Sequence, residues 1–204
     1  MGQIIVLFYS SNKGKIAEVT AILKESNIDC ISAQEAQITT GCPETGATFV
    51  ENAILKARDG ARQCGSACLA DDSGLIVDAL PGQLGVNSAR YAGETASDQD
   101  NINHLLSNLN DLSDIDHTAR FVCCMVYMRY AEDPFPLVTY GILEGKIVAT
   151  PSGEYGFGYD PIFYVPDFKK TLASLTSVDK NRISHRALAC QRLCQILTSE
   201  GDTV

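Results

Sequence analysis

The first third of the chain alternates between apolar runs typical of strands and apolar spacings typical of helices. Ile4 to Tyr9 is an unbroken apolar run, as expected for a strand buried on both faces. A polar stretch follows, and Ile16, Val19, Ile22 and Leu23 then recur at helical spacing. Residues 28 to 32 fit a second, short strand. The pattern therefore predicts strand, polar loop, helix and strand.

Further along, three stretches predict helices. Thr48 and Glu51 have the spacing of a capping box, so a helix should begin there. Its apolar face, which should pack on the sheet, would hold Phe49, Ala53, Ala57, Ala61 and Cys64. Asp98 to Leu109 has helical spacing as well. Thr176 and Asp179 offer another cap, for one helix whose core side chains are Ile183, Ala187, Cys190, Cys194 and Leu197.

The remaining apolar segments predict strands and loops. Leu69 and Ala70 are expected to end a buried strand, with Ser73 and Gly74 as the turn that opens it to solvent. Residues 75 to 80 fit a strand or a short helix, 81 to 91 a glycine-containing loop, and 111 to 116 an acidic linker. Residues 120 to 130 and 137 to 149 predict an antiparallel hairpin. Together these elements indicate a single α/β domain over residues 1 to 204, built around a mixed sheet.

Composition narrows the class of protein. A chain of 204 residues with 45% hydrophobic and 20% charged residues is typical of an ordinary globular domain. Its net charge of −9 argues against a nucleic-acid-binding surface, which needs a basic field. No run approaches the ~20 apolar residues of a membrane helix, and the start of the chain lacks a secretion signal. A cytoplasmic location, with no membrane or nucleic-acid partner, is the expectation.

The eight cysteines form no Cys-x-x-Cys pair, and the two Cys-x-x-x-Cys spacings fit helix faces. Buried small hydrophobes are therefore favoured over a zinc site or disulfides.

Asp71 and Asp72 are the first candidate for chemistry. Side chains alternate across a strand, so the two carboxylates should point to opposite sides. One can then face a cleft and supply part of a Mg²⁺ shell, which takes carboxylate, water and phosphate oxygens. The alternative is a strand-ending turn with no chemistry.

The polar stretch 10 to 15 is the second candidate. A loop between a strand and a helix presents backbone N–H groups that favour phosphate, and Lys13 and Lys15 add positive charge. It lacks the Walker spacing, so an ordinary connection with solvated lysines is an equal alternative.

Two further stretches suit a flat ring. The loop from 153 to 161 combines glycines with aromatic side chains. The start of the last predicted helix holds Lys180, Ser184, His185 and Arg186.

The start of another helix holds three lone polar residues, Glu44, Asn52 and Lys56, and such residues are usually solvated. Cations, carboxylates and an aromatic loop together suggest a nucleotide site.

These motifs resemble the inosine triphosphate pyrophosphatase family, and most closely its bacterial branch, which removes non-standard purine nucleotides. The resemblance runs from about Val6 to Leu197. One departure is Ser10-Ser11, where Thr-Gly is commoner; serine keeps the hydroxyl. The motifs that carry the resemblance are Ser10-Ser11-Asn12-Lys13-Gly14-Lys15, Glu44 to Ala53, Ala70-Asp71-Asp72-Ser73-Gly74-Leu75, Ser88-Ala89-Arg90-Tyr91, Gly156-Phe157-Gly158-Tyr159-Asp160-Pro161 and Ser184-His185-Arg186.

The resemblance implies an elongated mixed sheet flanked by helices, with two lobes around a central cleft, in a homodimer. It implies Mg²⁺-dependent hydrolysis of dITP, ITP and XTP to the monophosphate and pyrophosphate, which cleanses the nucleotide pool. Asp72 would be the general base and a Mg²⁺ ligand, with Glu44 as the second ligand. Substrate contacts would come from Ser10, Ser11, Asn12, Lys13, Gly14, Lys15, Lys56 and Ser73 on the phosphates, and from Phe157, Gly158, Tyr159, Asp160, Lys180, His185 and Arg186 on the base.

Two alternatives stay open from the sequence. One is a pyrophosphatase of similar fold that acts on modified pyrimidine nucleotides, against which the Ser-His-Arg and Phe-Gly-Tyr-Asp motifs speak. The other is a sensor that binds nucleotide without hydrolysing it, which the presence of both Glu44 and Asp72 disfavours.

Overall fold

The computed structural model describes residues 4–39, 41–110, 112 and 117–200. The helices are α1 (Lys13–Glu25), α2 (Phe49–Cys64), α3 (Asp98–Asn110), α4 (Ser177–Ile183) and α5 (His185–Glu200). The strands are β1 (Ile4–Phe8), β2 (Ile28–Ser32), β3 (Cys68–Val77), β4 (Thr118–Met128), β5 (Leu137–Ile147), β6 (Phe163–Val165) and β7 (Lys170–Thr171). Short 3-10 helices span Gly85–Arg90, Pro166–Phe168 and Leu172–Ser174.

In the part of the chain that the structure describes, seven strands form one sheet in the order β2-β1-β3-β4-β5-β6-β7. β1 pairs in parallel with β2 and with β3. β6 pairs antiparallel with β5 and with β7. The prediction of an α/β fold around a mixed sheet is therefore confirmed. β4 and β5 are neighbours in that sheet, as the predicted hairpin requires.

The chain divides into two compact units. Unit 1 comprises Met1–Asp72, Cys123–Gly141 and His185–Val204, and unit 2 comprises Ser73–Val122 and Ile142–Ser184. Unit 1 has two apolar clusters, one around β1 with α1 and α5, the other around β1 and β3 with α2. Unit 2 has its own cluster, which includes Leu75, Leu105 and Phe163. The single domain over residues 1 to 204 stays a prediction.

The capping box predicted for α2 is confirmed. The Thr48 side chain accepts a hydrogen bond from the Glu51 backbone N–H, and the Glu51 carboxylate accepts one from the Thr48 backbone N–H. The face behind this cap packs as expected, since Ala53, Ala57 and Ala61 are buried in the cluster that also holds residues of β1 and β3. The sequence therefore predicted both the start of α2 and the face that packs.

The predicted turn at Ser73 and Gly74 is wrong, because β3 continues through it to Val77. Gly74 serves a close approach instead: a Cβ there would lie 2.2 Å from the carbonyl oxygen of Gly85. Both aspartates therefore lie within a strand and not at its exposed end.

The stretch 10 to 15 is shorter as a loop than predicted. α1 begins at Lys13 with Asn12 as its N-cap, so Lys13, Gly14 and Lys15 form the first turn of the helix. This turn holds a glycine and two lysines and precedes the first periodic apolar residue. For that reason the sequence predicted a loop there.

The last helix is two helices. α4 ends at Ile183, and the extended backbone of its C-cap Ser184 (φ −62°, ψ 148°) interrupts the helical path before α5 begins. The apolar spacing runs across this break, and for that reason the sequence predicted one helix. The consequence is that Lys180 belongs to unit 2, whereas His185 and Arg186 belong to unit 1.

The predicted acidic linker, 111 to 116, lies outside the described residues except for Leu112. Of the eight cysteines, five are buried and three are half-buried. No helix among the described residues is both long and apolar enough to span a membrane.

Candidate functional site

Asp72 on β3 is held by two side chains of α2. Its Oδ2 accepts a hydrogen bond from the Asn52 amide nitrogen at 3.1 Å, and its Oδ1 lies 3.4 Å from the Lys56 ammonium. Asn52 and Lys56 are four residues apart, so they lie on the same face of the helix. Burial raises the pKa of Asp72, an effect that the charges of Lys56 and Lys15 oppose.

Lys56 also reaches Glu44, whose Oε1 lies 2.8 Å from the ammonium. Burial alone would lower the pKa of Lys56, but the negative charges of Asp71, Asp72 and Glu44 raise it above its ordinary value. Lys56 therefore stays cationic and draws Glu44 and Asp72 towards one point.

Two carboxylates that share one cation are a suitable donor set for a hard metal ion. Within the described ranges, no group of three or more His, Cys, Asp and Glu side chains could hold a metal ion. Mg²⁺ does not need such a group, because it is commonly bound by one or two carboxylates together with waters and substrate phosphates. Glu44 and Asp72 therefore fit Mg²⁺ that arrives with a phosphorylated ligand.

Asp71 engages a different set of partners, as the alternation of side chains along a strand predicts. Its Oδ2 lies 3.0 Å from the Lys15 ammonium and 3.3 Å from Nε of Arg186. Arg186 also pairs through Nη1 with Glu18. Burial would raise the pKa of Asp71, but Lys15 and Arg186 hold it well below the ordinary range. These four side chains form a charge-balanced cluster within unit 1.

The Arg186 guanidinium was expected to contact a base, and the structure places it in this cluster. The Arg186 side chain is only 2% exposed, with Asp71 and Glu18 around it. Burial alone would lower the pKa of Arg186, but the two carboxylates raise it above its ordinary value. The guanidinium therefore stays charged. In unit 1, His185 is buried next to it at the start of α5.

The expected phosphate loop is an exposed helix start. The Ser10 hydroxyl accepts from the Asn12 backbone N–H at 3.2 Å, and the Asn12 side chain caps the Lys15 N–H at 3.0 Å. Ser11 and Lys13 are exposed, and Gly14 and Lys15 half-buried. The positive end of the dipole of α1 therefore lies at a turn that is partly exposed, an arrangement that favours an anion.

The aromatic loop and Lys180 form a second group, within unit 2. The Lys180 ammonium lies 2.6 Å from Asp160 Oδ2 and 4.8 Å from the centre of the Phe157 ring. Asp160 Oδ2 also accepts from the Phe157 backbone N–H at 3.1 Å. The carboxylate thus fixes both the loop and the cation, and the ammonium covers one ring face.

Neighbours in unit 2 fix the rest of this loop. Gly158 N–H donates to Asp98 at 2.7 Å, and the Tyr159 hydroxyl donates to the Ser88 carbonyl at 2.8 Å. Burial raises the pKa of Tyr159, so its hydroxyl stays protonated. Tyr159 is therefore a buried support of the loop. Ser73, the remaining expected contact, is half-buried on β3.

Sequence reasoning missed two residues of unit 1. Asn52 was expected to be solvated, and the expectation is wrong because its side chain is fully buried against Asp72. Glu18 was not singled out. Both have a signal in helical spacing: Asn52 lies one turn before Lys56, and Glu18 lies one turn after Lys15.

The comparisons with known proteins agree on one family. Residues 6–196 match the model of the Ham1 family. The dITP/XTP pyrophosphatase of Shigella flexneri is 47% identical over 192 residues, which are 94% of this chain and 97% of that protein. The dITP/XTP pyrophosphatase of Vibrio cholerae serotype O1 is 45% identical over 195 residues, covering 96% and 97% of the two chains.

Two solved structures have the same fold. A HAM1 protein from Coxiella burnetii superposes with a TM-score of 0.88 at 44% identity and covers 96% of this chain and 99% of its own. The Ham1 protein of Staphylococcus aureus superposes with a TM-score of 0.83 at 41% identity, with the same coverage. The chain therefore belongs to the Ham1 family.

Proposed function

We propose that this protein hydrolyses non-standard purine nucleoside triphosphates, among them dITP, ITP and XTP, to the monophosphate and pyrophosphate. The observation that carries the proposal is the pair Glu44 and Asp72 gathered on the Lys56 ammonium, at 2.8 and 3.4 Å. The names of the relatives, dITP/XTP pyrophosphatases, support the same reaction.

In this proposal, the start of α1 and two lysines bind the phosphates. The backbone N–H groups of Lys13 and Gly14 and the Lys15 ammonium would bind phosphate oxygens, and Lys56 would add a further cation. Glu44 and Asp72 would hold Mg²⁺, which when bound neutralises charge on the phosphates. Asp72 would orient a water for attack on the α-phosphorus and accept its proton, with pyrophosphate as the leaving group.

The choice of base would depend on Lys180 and Phe157 in this proposal. Hypoxanthine and xanthine present an oxygen acceptor at position 6, whereas adenine presents an amino donor. Lys180 has only donors. Because the Lys180 ammonium is fixed by Asp160, it would pair with a 6-oxygen and meet the adenine amino group donor to donor. Phe157 would contribute the other face or an edge of its ring to stacking.

A substrate panel tests the proposed function. The protein is incubated with dITP, ITP, XTP, GTP, ATP and modified pyrimidine triphosphates in the presence of Mg²⁺, and the products are separated. We expect monophosphate and pyrophosphate from dITP, ITP and XTP, comparable rates for ITP and dITP, and very poor turnover of ATP. Tight binding without products would identify a sensor, and a preference for modified pyrimidines would identify the related enzyme class.

Lys15→Ala tests the phosphate assignment. Loss of one charged hydrogen bond, about 1.5–3 kcal/mol, should raise the KM for ITP about tenfold or more and weaken its dependence on salt. Lys24→Ala is the matched control, because Lys24 lies on the same helix but in its last turn and is exposed. Equal KM values for the two variants would show that Lys15 does not bind phosphate.

Lys180→Ala tests the base assignment. The ratio of kcat/KM for ITP to that for ATP should fall by about one to two orders of magnitude, as expected for one charged hydrogen bond to the 6-oxygen. Lys170→Ala, an exposed lysine of the same unit, should leave the ratio unchanged. If the ratio survives both Lys180→Ala and Arg186→Ala, the 6-oxygen is recognised by other groups.

A further inference from the structure

The side chain of Asn52 is buried completely and uses both ends of its amide. Its oxygen accepts a hydrogen bond from the Gly46 backbone N–H at 2.8 Å, and its nitrogen donates to Asp72 Oδ2 at 3.1 Å. All three residues belong to unit 1. Asn52 therefore connects the strand that carries Asp72 to the segment that carries Glu44.

The direction of the amide follows from its two partners. The Gly46 N–H can only donate, so it requires the amide oxygen. A carboxylate can only accept when ionised, so Asp72 requires the amide nitrogen. The two bonds select one orientation of the side chain, and that orientation places a donor on Oδ2 of Asp72.

We propose that Asn52 is a positioning residue for the hydrolysis: it orients the Asp72 carboxylate and fixes the Glu44 segment to the same side chain. This inference rests on the proposed function of Asp72 and Glu44. Asn52 anchors Oδ2, while Lys56 meets Oδ1 from the next turn of the helix. The carboxylate therefore cannot rotate without breaking a contact at each oxygen.

Gly46 supports the assignment by its lack of a side chain. A Cβ at this position would lie 2.5 Å from the Cβ of Glu51 and 2.8 Å from the amide oxygen of Asn52. The segment can approach the start of α2 this closely only because position 46 is glycine. Glu44, two residues earlier, is placed by the same approach and by its pair with Lys56.

Other side chains cannot replace both bonds. Aspartate would accept from Gly46 but would set a second negative charge against Asp72. Glutamine offers the same groups one methylene further out, in a site with no exposed surface. The position therefore requires asparagine for its polarity as well as for its size.

A buried asparagine can also be purely structural, and the chain offers a control for that case. Asn101 on α3 is buried as well; its oxygen accepts from the Ala92 N–H at 2.8 Å, and its nitrogen donates to the Ala89 carbonyl at 3.0 Å. Its partners are backbone groups of unit 2. Loss of Asn101 should therefore lower stability without a specific effect on turnover.

The test compares Asn52→Ala with Asn101→Ala in the full chain. Both should lower the melting temperature. Only Asn52→Ala should lower kcat for ITP, about tenfold or more, with KM changed less than about twofold, because Asn52 acts through Asp72 and not on the phosphates. Equal kcat for the two variants, or a rise in KM at unchanged kcat, would overturn the proposal.

A second measurement does not need turnover. Unfolding of Asn52→Ala, Asp72→Ala and the double variant should give non-additive losses of stability, whereas Asn101→Ala with Asp72→Ala should be additive. Additive losses for Asn52 and Asp72 would overturn the contact. If Asn52→Ala does not fold, Asn52→Asp keeps the size and the bond to Gly46, and the same outcomes apply. This cycle is measured in the protein without substrate. Its result therefore tests the contact between Asn52 and Asp72 even if the proposed function is wrong.

Discussion

Asp72→Asn should lower kcat for ITP by about 10²–10⁴-fold, the range for removal of a general base. The substitution keeps the shape of the side chain and removes its charge and its basicity. Its one amide oxygen can still accept from Asn52, and Lys56 keeps its bond to Glu44, so the site itself should stay assembled. Circular dichroism checks that the variant is folded, and steady-state kinetics at saturating Mg²⁺ measure the loss of kcat. Asp167→Asn, at an exposed position, is the control and should leave kcat for ITP unchanged.

Near-full turnover by Asp72→Asn at saturating Mg²⁺ would remove Asp72 from the role of base. If the turnover of Asp72→Asn is low at limiting Mg²⁺ and recovers fully when the Mg²⁺ concentration is raised, the role of Asp72 is limited to metal binding. Glu44→Gln provides the comparison, since a residue that only holds Mg²⁺ should raise the Mg²⁺ requirement more than it lowers the maximal rate.

Arg186→Ala should lower the free energy of unfolding by about 3–5 kcal/mol, as expected when one partner of a buried ion pair is removed. The substitution leaves Asp71 and Glu18 without the guanidinium that neutralises them. Lys15 still reaches Asp71, but it is half-buried and cannot replace both bonds. Denaturant unfolding at neutral pH measures the change.

The pH of that measurement matters because the pKa of Asp71 is lower in the folded protein than in the unfolded chain. The stabilisation is fully present above the unfolded value, about 3.9, and is lost as the pH falls through the lower folded value. Neutral pH therefore shows the whole effect. Arg182→Ala, at an exposed position on α4, should stay within about 0.5 kcal/mol. A loss below about 1 kcal/mol for Arg186→Ala would contradict the buried cluster.

Several elements of the fold were predictable because local chemistry determines them. The apolar run at β1 and the capping box at Thr48 and Glu51 depend on neighbours in the sequence, and both occur where the sequence placed them. The opposite directions of Asp71 and Asp72 follow from strand geometry alone, and their separate partners agree with it.

Other features depend on contacts between distant segments. Gly74 resembles a turn residue in sequence, but its role is set by the Gly85 carbonyl, which no local pattern reveals. The break at Ser184 interrupts the helix without interrupting the apolar spacing. Asn52 resembles a surface residue until Gly46 and Asp72 are brought to it by folding.

The proposed site residues vary in the same way. Glu44, Lys56 and Asp72 were suggested by the resemblance, and the structure brings their side chains together. Arg186 was suggested as a contact to the base, and the structure surrounds it with Asp71 and Glu18. Its role in base choice stays a prediction that the comparison with Lys180→Ala will test.

The most direct test of the central claim is the position of oxygen from water in the products. The protein hydrolyses ITP in ¹⁸O-labelled water with Mg²⁺, and mass spectrometry or ³¹P NMR locates the label. Attack on the α-phosphorus with a water oriented by Asp72 predicts one ¹⁸O atom in the monophosphate and none in the pyrophosphate. Label in the pyrophosphate, or release of inorganic phosphate instead, would contradict it.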